Sequence, residues 1–283
     1  MSAVVAAEGL TRRFGDFVAV DDMSLDVAAG EVVGLLGANG AGKTTTIRML
    51  LGLVRPSAGS STLLGEAPTR RTRSRLGYVP QGLGLYRDLT VSQNLDFAAR
   101  AYGVQPAKPT GALAADAGRL VRDLPLGLQR QLAFLIALQH SPEALILDEP
   151  TSGVEPLAAA KLWDRIRAEA DGGSGVLVTT HSMAEARQCD RLLLMAGGRL
   201  VGEGSESDIV AGTTAVEVVS DSWTEAFEAL SAAGELVTLS GRAVRVVDRA
   251  PGDVQAVLAD AGVAAEVSEV SATLEERMAA LSA

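Results

Sequence analysis

EVVGLLGANGAGKTTTIRMLL, residues 31–51, passes from an aliphatic run through a glycine-rich turn into a helical pattern. Glu31 to Leu36 carries Val and Leu with no alternating polar residue, which predicts a strand buried on both faces. Lys43 to Leu51 predicts a helix. The turn between them, Gly37, Ala38, Asn39, Gly40, Ala41, Gly42, Lys43 and Thr44, fits the spacing G-x-x-x-x-G-K-[ST]. Glycines let backbone N–H groups turn inward around phosphates, the helix N-terminus favours anions, Lys43 reaches the β/γ oxygens, and the Thr44 hydroxyl is placed to ligate Mg²⁺. Thr45 follows as a further nucleotide contact. A chance Lys-Thr after a glycine turn is the competing reading, and the strand–turn–helix context argues against it.

Such a loop needs a carboxylate for the cation and a group to activate water. LILDEP, Leu145 to Pro150, supplies both at a strand end, with Asp148 as the Mg²⁺ carboxylate and Glu149 as the general base. Ala144 to Leu147 and Gly175 to Thr180 are further buried-strand runs, each preceded by a helical stretch, so the class is α/β with a parallel sheet whose C-terminal ends gather one site. Ahead of them, Ala3 to Ala7, Val18 to Val20 and Met23 to Val27 suit an N-terminal antiparallel β layer. After Gly202 the order becomes βαββαβ: Ala215 to Val219, Thr224 to Ala232, Glu235 to Leu239, Ala243 to Val247, Asp253 to Asp260 and Ala264 to Val270. That order predicts a small α+β, ferredoxin-like domain at 214–283 behind a larger one at 1–210. Thr273 and Glu276 form a capping box for a last helix.

The 283 residues suit two domains, and 47% hydrophobic with 4% aromatic content means cores packed from aliphatics. A net charge of −10 opposes nucleic acid. The one basic cluster, Arg70, Arg71, Arg73 and Arg75, reads as a solvated loop. The single Cys189 forms no internal disulfide, which fits a reducing compartment. MSAVVAAEGL does not read as a secretory leader, and runs such as Leu132 to Leu138 fall short of the roughly 20 residues of a membrane span. Any membrane link is therefore expected through another chain.

The glycine loop together with DEPTSGVEP and Thr179-Thr180-His181 resembles the nucleotide-binding subunit of ABC transporters over about the first 210 residues. The resemblance implies a P-loop NTPase cassette with a mixed sheet core and a short helical subdomain. It further implies an ATPase that binds ATP and Mg²⁺ and pairs with a second cassette, as a homodimer or otherwise. The pair would power transport, in the export direction, through a separately encoded polytopic permease, from the cytoplasmic face of the cell membrane. By position, Phe14 stands where the family stacks an aromatic ring on adenine, with Phe17 as a core residue. Gln81 matches the glutamine that senses Mg²⁺ and the lytic water, and His181 the histidine that holds the γ-phosphate. The resemblance places the permease surface on Leu83 to Asp96. Glu155 replaces the usual Asp after the acidic pair.

The signature segment, usually Leu-Ser-Gly-Gly-Gln, here aligns with Leu124-Pro125-Leu126-Gly127-Leu128-Gln129-Arg130, followed by an expected apolar helix from Gln131 to Leu138. It resembles the form used by ABC-2-type multidrug-export cassettes, with Gly127 facing the partner's ATP. The stretch from Tyr102 to Leu124 is short for the family, and Val104 to Gly111 is expected as a loop. Two other readings are a soluble ABC ATPase acting on ribosomes, DNA repair or chromosomes, and a non-hydrolysing nucleotide-dependent regulator.

Overall fold

The computed structural model describes residues 3–282. Met1, Ser2 and Ala283, included in the expected domain bounds and, for the first two, in the leader reading, lie outside the described residues. Strands β1 (Ala3–Phe14) and β2 (Phe17–Ala28) form a hairpin of two 12-residue strands, longer than the short runs expected. Its turn is Gly15-Asp16, where Gly15 takes φ +60 at no Cβ cost. Phe14 and Phe17 face each other across the tip. Phe17 is 65% exposed, against the core placement expected for it, because no layer covers that end of the hairpin.

After β2 come β3 (Val32–Leu36) and α1 (Lys43–Leu50), then β4 (Ala58–Leu63), which pairs with β1 and completes a three-stranded antiparallel layer. The arginine cluster folds into a single helical turn, α2 (Arg70–Arg73), and not a loop. Thr69 and Thr72 cap it reciprocally, Arg71 pairs with Glu66, and Arg75 pairs with Glu143 at 2.6 Å. Next are β5 (Leu76–Val79), α3 (Val91–Tyr102), α4 (Gly111–Ala115) and α5 (Leu126–Leu138). Val91, Leu95, Leu113, Val121, Leu124 and Leu132 join these helices in a small apolar cluster.

The chain then builds β6 (Ala144–Asp148), α6 (Pro156–Asp171), β7 (Gly175–Thr180), the short α7 (Met183–Ala186), β8 (Arg191–Ala196) and β9 (Arg199–Gly204). The main sheet has the order β5-β6-β7-β3-β8-β9, and its first five strands are parallel. Side chains alternate between its faces. Val33, Leu35, Ala144, Ile146 and Leu177 pack with α1 and the antiparallel layer, while Val32, Leu145, Leu147, Val176 and Val178 pack with α5 and α6. Each fully buried Val or Leu contributes roughly 1.5–3 kcal/mol, so both layers are anchored on a sheet whose central strands β6, β7 and β3 have no solvent face. Cys189 sits under this sheet, its Sγ 2.8 Å from where a Cβ on Gly34 would stand, and burial pushes its thiol pKa up to about 12.

Contacts divide the chain into two units, up to Gly202 and from Glu203. The second holds α8 (Glu206–Val210), β10 (Thr214–Val219), α9 (Trp223–Ala232), β11 (Val237–Ser240), β12 (Ala243–Val247), α10 (Pro251–Asp260), β13 (Glu266–Ser271) and α11 (Leu274–Ser282). From β10 to β13 the order is βαββαβ, and the antiparallel sheet runs β11-β12-β10-β13, the split-βαβ arrangement of a ferredoxin-like fold. Val216, Val218, Leu230, Val246, Val254 and Leu258 form its core. Glu276, at the start of α11, is 2% exposed and caps Thr273 N–H at 2.7 Å. It also takes two hydrogen bonds from Arg245, at 2.5 and 3.1 Å.

Burial opposes the Glu276 carboxylate, but the bonds from Arg245 and the Thr273 N–H outweigh it and hold its pKa below the usual carboxylate range. A depressed folded pKa gives stability that is complete above the unfolded value and is lost as pH falls through the folded one. The second unit should therefore weaken below about pH 4. Glu276→Ala, which leaves the Arg245 guanidinium only Glu217 and the Ser271 carbonyl as partners, should cost about 3 kcal/mol at neutral pH. Hydrogen exchange of β10 and β12 amides measures both effects.

Candidate active site

Four neighbouring strands of the main sheet end on one side. Gln81 follows β5, Asp148 and Glu149 end β6, Thr180 and His181 end β7, and the glycine loop leaves β3. Residues more than a hundred positions apart thus meet, as expected at the carboxyl edge of a parallel sheet.

The loop between β3 and α1 is shaped by close approach. A Cβ on Gly37 would lie 2.4 Å from the Met195 carbonyl oxygen, and one on Gly42 would lie 2.5 Å from the Ala19 carbonyl oxygen. Gly42 caps α1 in a left-handed conformation, φ 104, with no side-chain bond to the helix end. The first N–H groups of α1 are left for an incoming anion. Lys43 is 6% exposed, and its Nζ donates to the Gly37 and Ala38 carbonyls at 2.7 and 3.1 Å. Burial lowers its pKa, and the charges of Glu149 and Asp148 work the other way. Phe17, Ala19, Asn39, Gly40, Gly42, Lys43, Thr44, Thr45, Gln81 and Glu149 line a cleft of about 410 Å³.

Asp148 is 1% exposed, yet its carboxylate is fully engaged. Oδ1 accepts from the Thr179 hydroxyl at 2.6 Å and Oδ2 from the Thr44 hydroxyl at 3.1 Å. The Thr44, Asp148 and Gln81 oxygens are a hard donor set that suits Mg²⁺. Among the described residues no group of three His, Cys, Asp or Glu could hold a metal alone, so such a cation fits only with phosphate oxygens completing its shell. Glu149 is 8% exposed and takes φ 50, a left-handed backbone unusual for a non-glycine residue. Its Oε2 accepts from Gln81 Nε2 at 3.2 Å, and its Oε1 lies 3.5 Å from His181 Nδ1.

Two expected site residues, Phe14 and Gly127, stand apart from this group. Phe14 is 49% exposed, carries the Arg12 guanidinium 4.4 Å above its ring, and is not in the cleft lining, where Phe17 and Ala19 stand. Gly127 lies in the first turn of α5, which begins at Leu126 and not at Gln131. The earlier start follows from Pro125, whose extended ψ of 147 leads into the helix and whose carbonyl accepts from the Leu128 and Gln129 N–H groups. A Cβ on Gly127 meets nothing closer than 3.9 Å. Within Leu83 to Asp96, the segment expected to meet a permease, Leu83 and Leu85 pack inward, and the exposed aromatic is Tyr86, 4.7 Å edge to face from Phe97 one residue beyond the segment; the two are 52% and 51% exposed.

Sequence reasoning placed Arg130 at the end of the signature stretch without a role and missed Glu185. Arg130 Nη1 donates to the Glu149 carbonyl at 2.9 Å. Glu185 accepts from the hydroxyls of Thr151 and of Thr180, the latter at 2.6 Å. The signal for Arg130 was a charge placed four residues before Phe134 and seven before Ala137, on the buried stripe of an apolar helix.

A phosphate-shaped loop facing an acidic pair at the end of β6, one strand removed from β3, defines the P-loop nucleotide-binding proteins, and comparison with known proteins narrows the class. A sequence profile described as ABC transporter matches residues 20–152. The chain is 37% identical over 271 residues to the Nod factor export ATP-binding protein I of Ralstonia nicotianae, covering 90% of this chain and 84% of that one. It is 40% identical over 220 residues to the probable multidrug ABC transporter ATP-binding protein YbhF of Escherichia coli, covering 74% of this chain; it spans only 38% of that relative's length. A solved structure described as the ATP binding subunit of an ABC transporter superposes with a TM-score of 0.68 at 29% identity, covering 73% of this chain and 91% of that one. The chain belongs to the ABC transporter family, among its ATP-binding proteins.

The loop geometry separates two of its glycines. Gly40 takes φ +86 with nothing within 4 Å of a built Cβ, so Gly40→Ala adds only left-handed strain of about 1–2 kcal/mol, worth roughly tenfold in affinity. Gly42→Ala adds the collision with Ala19 and should weaken binding on the order of 100-fold or more. Titration of a fluorescent ATP analogue compares the two.

Proposed function

We propose that this chain hydrolyses ATP to ADP and phosphate and works as the motor of an exporter. The observation that carries the reading is the Glu149 carboxylate, at the cleft of the glycine loop and within 3.5 Å of both Gln81 and His181. Glu149 takes the proton of the attacking water, and Gln81 and His181 orient that water. Lys43 and the N–H groups at the start of α1 hold the β- and γ-phosphates and stabilise charge on the transferring group. Thr44, Asp148 and Gln81 would hold Mg²⁺, which supplies charge neutralisation between the phosphates when bound. Phe17, which lines the cleft at the hairpin tip, is the surface on which adenine stacks, with Phe14, the residue the family resemblance pointed to, beside it across the turn.

Gly127 serves the partner's nucleotide: two cassettes sandwich two ATP molecules, each between the loop of one chain and α5 of the other. The open surroundings of Gly127 support this, since the residue has no close packing role in its own chain. Among the described residues no helix is long and apolar enough to cross a membrane. Transport therefore runs through a polytopic permease, which the exposed Tyr86 and Phe97 pair suits as a docking surface, with the cassettes at the inner face of the membrane. The division of labour is a nucleotide cassette at 1–210 and an accessory domain at 214–283.

Glu149→Gln should retain ATP and lose roughly 10² to 10⁴ of its turnover, measured as phosphate release. Turnover within a few-fold of the unaltered chain would instead favour another base. The same variant should form an ATP-dependent dimer on sizing chromatography. Adding Gly127→Asp, which fits its own chain but brings like charge to the partner's γ-phosphate, should abolish that dimer.

A further inference from the structure

Arg130 lies one turn beyond Gly127 on α5 and is 6% exposed. Among the described residues its one hydrogen bond runs from Nη1 to the Glu149 carbonyl, and its buried Nε has no hydrogen-bond partner. Burial pushes the guanidinium pKa down, while the carboxylates of Glu149 and Glu185 favour its charge. A buried guanidinium with so few bonds is a poor stabiliser, because an apolar side chain of similar volume fills the space without desolvating a charge.

What this guanidinium holds is a strained backbone. Glu149 takes φ 50, and its N–H is already tied to the carbonyl and hydroxyl of Thr179, at 3.2 and 3.0 Å. On the other side of the same residue the carbonyl accepts from Arg130 at 2.9 Å and, at a longer 3.3 Å, from the Ser152 N–H of the following turn. With both backbone groups fixed, the Cα–Cβ direction of Glu149 is set, and from there its carboxylate meets Gln81 and His181. Strain of this kind persists only where surrounding bonds over-determine it.

We propose that Arg130 is a positioning residue for Glu149, fixing the general base in its left-handed conformation and tying that conformation to α5. The inference rests on the reading of Glu149 as the base. Movement of the first turn of α5 is then transmitted to the carboxylate through one side chain and one hydrogen bond.

The test is a double-mutant cycle in the full chain. Arg130→Met should lower kcat about 10- to 100-fold while leaving the affinity for a fluorescent ATP analogue within about threefold. In the Glu149→Gln background, followed by single-turnover hydrolysis over hours, the same substitution should change the residual rate less than twofold. Arg130→Lys, which keeps a cation and a donor, should recover part of the rate, and carries the cycle if the Met variant does not fold. An equal fold-loss in both backgrounds, a parallel loss of nucleotide affinity, or unchanged kcat would overturn the proposal. Failure of the underlying reading looks different: Glu149→Gln alone would then keep its turnover.

Discussion

The Asp148 carboxylate is bound on one oxygen by Thr179 of the neighbouring strand and on the other by Thr44 at the head of α1. Nearly all of it is out of water, and a buried carboxylate without partners costs several kcal/mol. The two hydroxyls therefore couple the position of the phosphate loop to the register between β6 and β7, in which Asp148 lies opposite Thr179. Everything that follows Asp148 inherits this register: Glu149, bonded back to Thr179, and the turn to His181 one residue past Thr180. Loss of this junction would release the loop and the acidic pair together, since neither has another direct tie to the other as short.

The rest of the sheet serves that junction by being apolar on both faces. Alternation sends Ile146 and Leu177 to the α1 side and Leu145, Leu147, Val176 and Val178 to the α5 and α6 side, so both layers grip the same two strands. The helix carrying the variant signature is thereby held against the sheet by its apolar stripe. Its first turn is free to depart from the usual family sequence, because Pro125 supplies the extended entry and a carbonyl acceptor without needing a hydroxyl. A change in that turn alters what the helix presents outward and leaves the aliphatic contacts beneath it in place.

Elements with a strong local pattern were legible in the sequence. The strand–loop–helix around Gly37 to Thr44, the buried runs at Ala144 and Gly175, and the βαββαβ order after Gly202 needed only periodicity and turn chemistry. The Thr273–Glu276 capping box needed only spacing. What escaped depends on contacts between distant segments. Phe17 looks like a core aromatic until the hairpin tip is seen to lack a cover, and Arg70 to Arg75 looks like a loop until Glu66 and Glu143 are brought beside it. Arg130 and Glu185 bind a backbone carbonyl and two hydroxyls from other elements, and single-sequence spacing carries no trace of such pairings.

The thiol under Gly34 bears on how the protein can be studied and how it behaves under oxidative stress. Burial pushes the Cys189 thiol up to about 12 and so disfavours the thiolate, the form that reacts with alkylating and oxidising reagents. Reagents of that kind should react with it slowly, and a cysteine introduced on the surface should be labelled ahead of it in the otherwise unaltered chain.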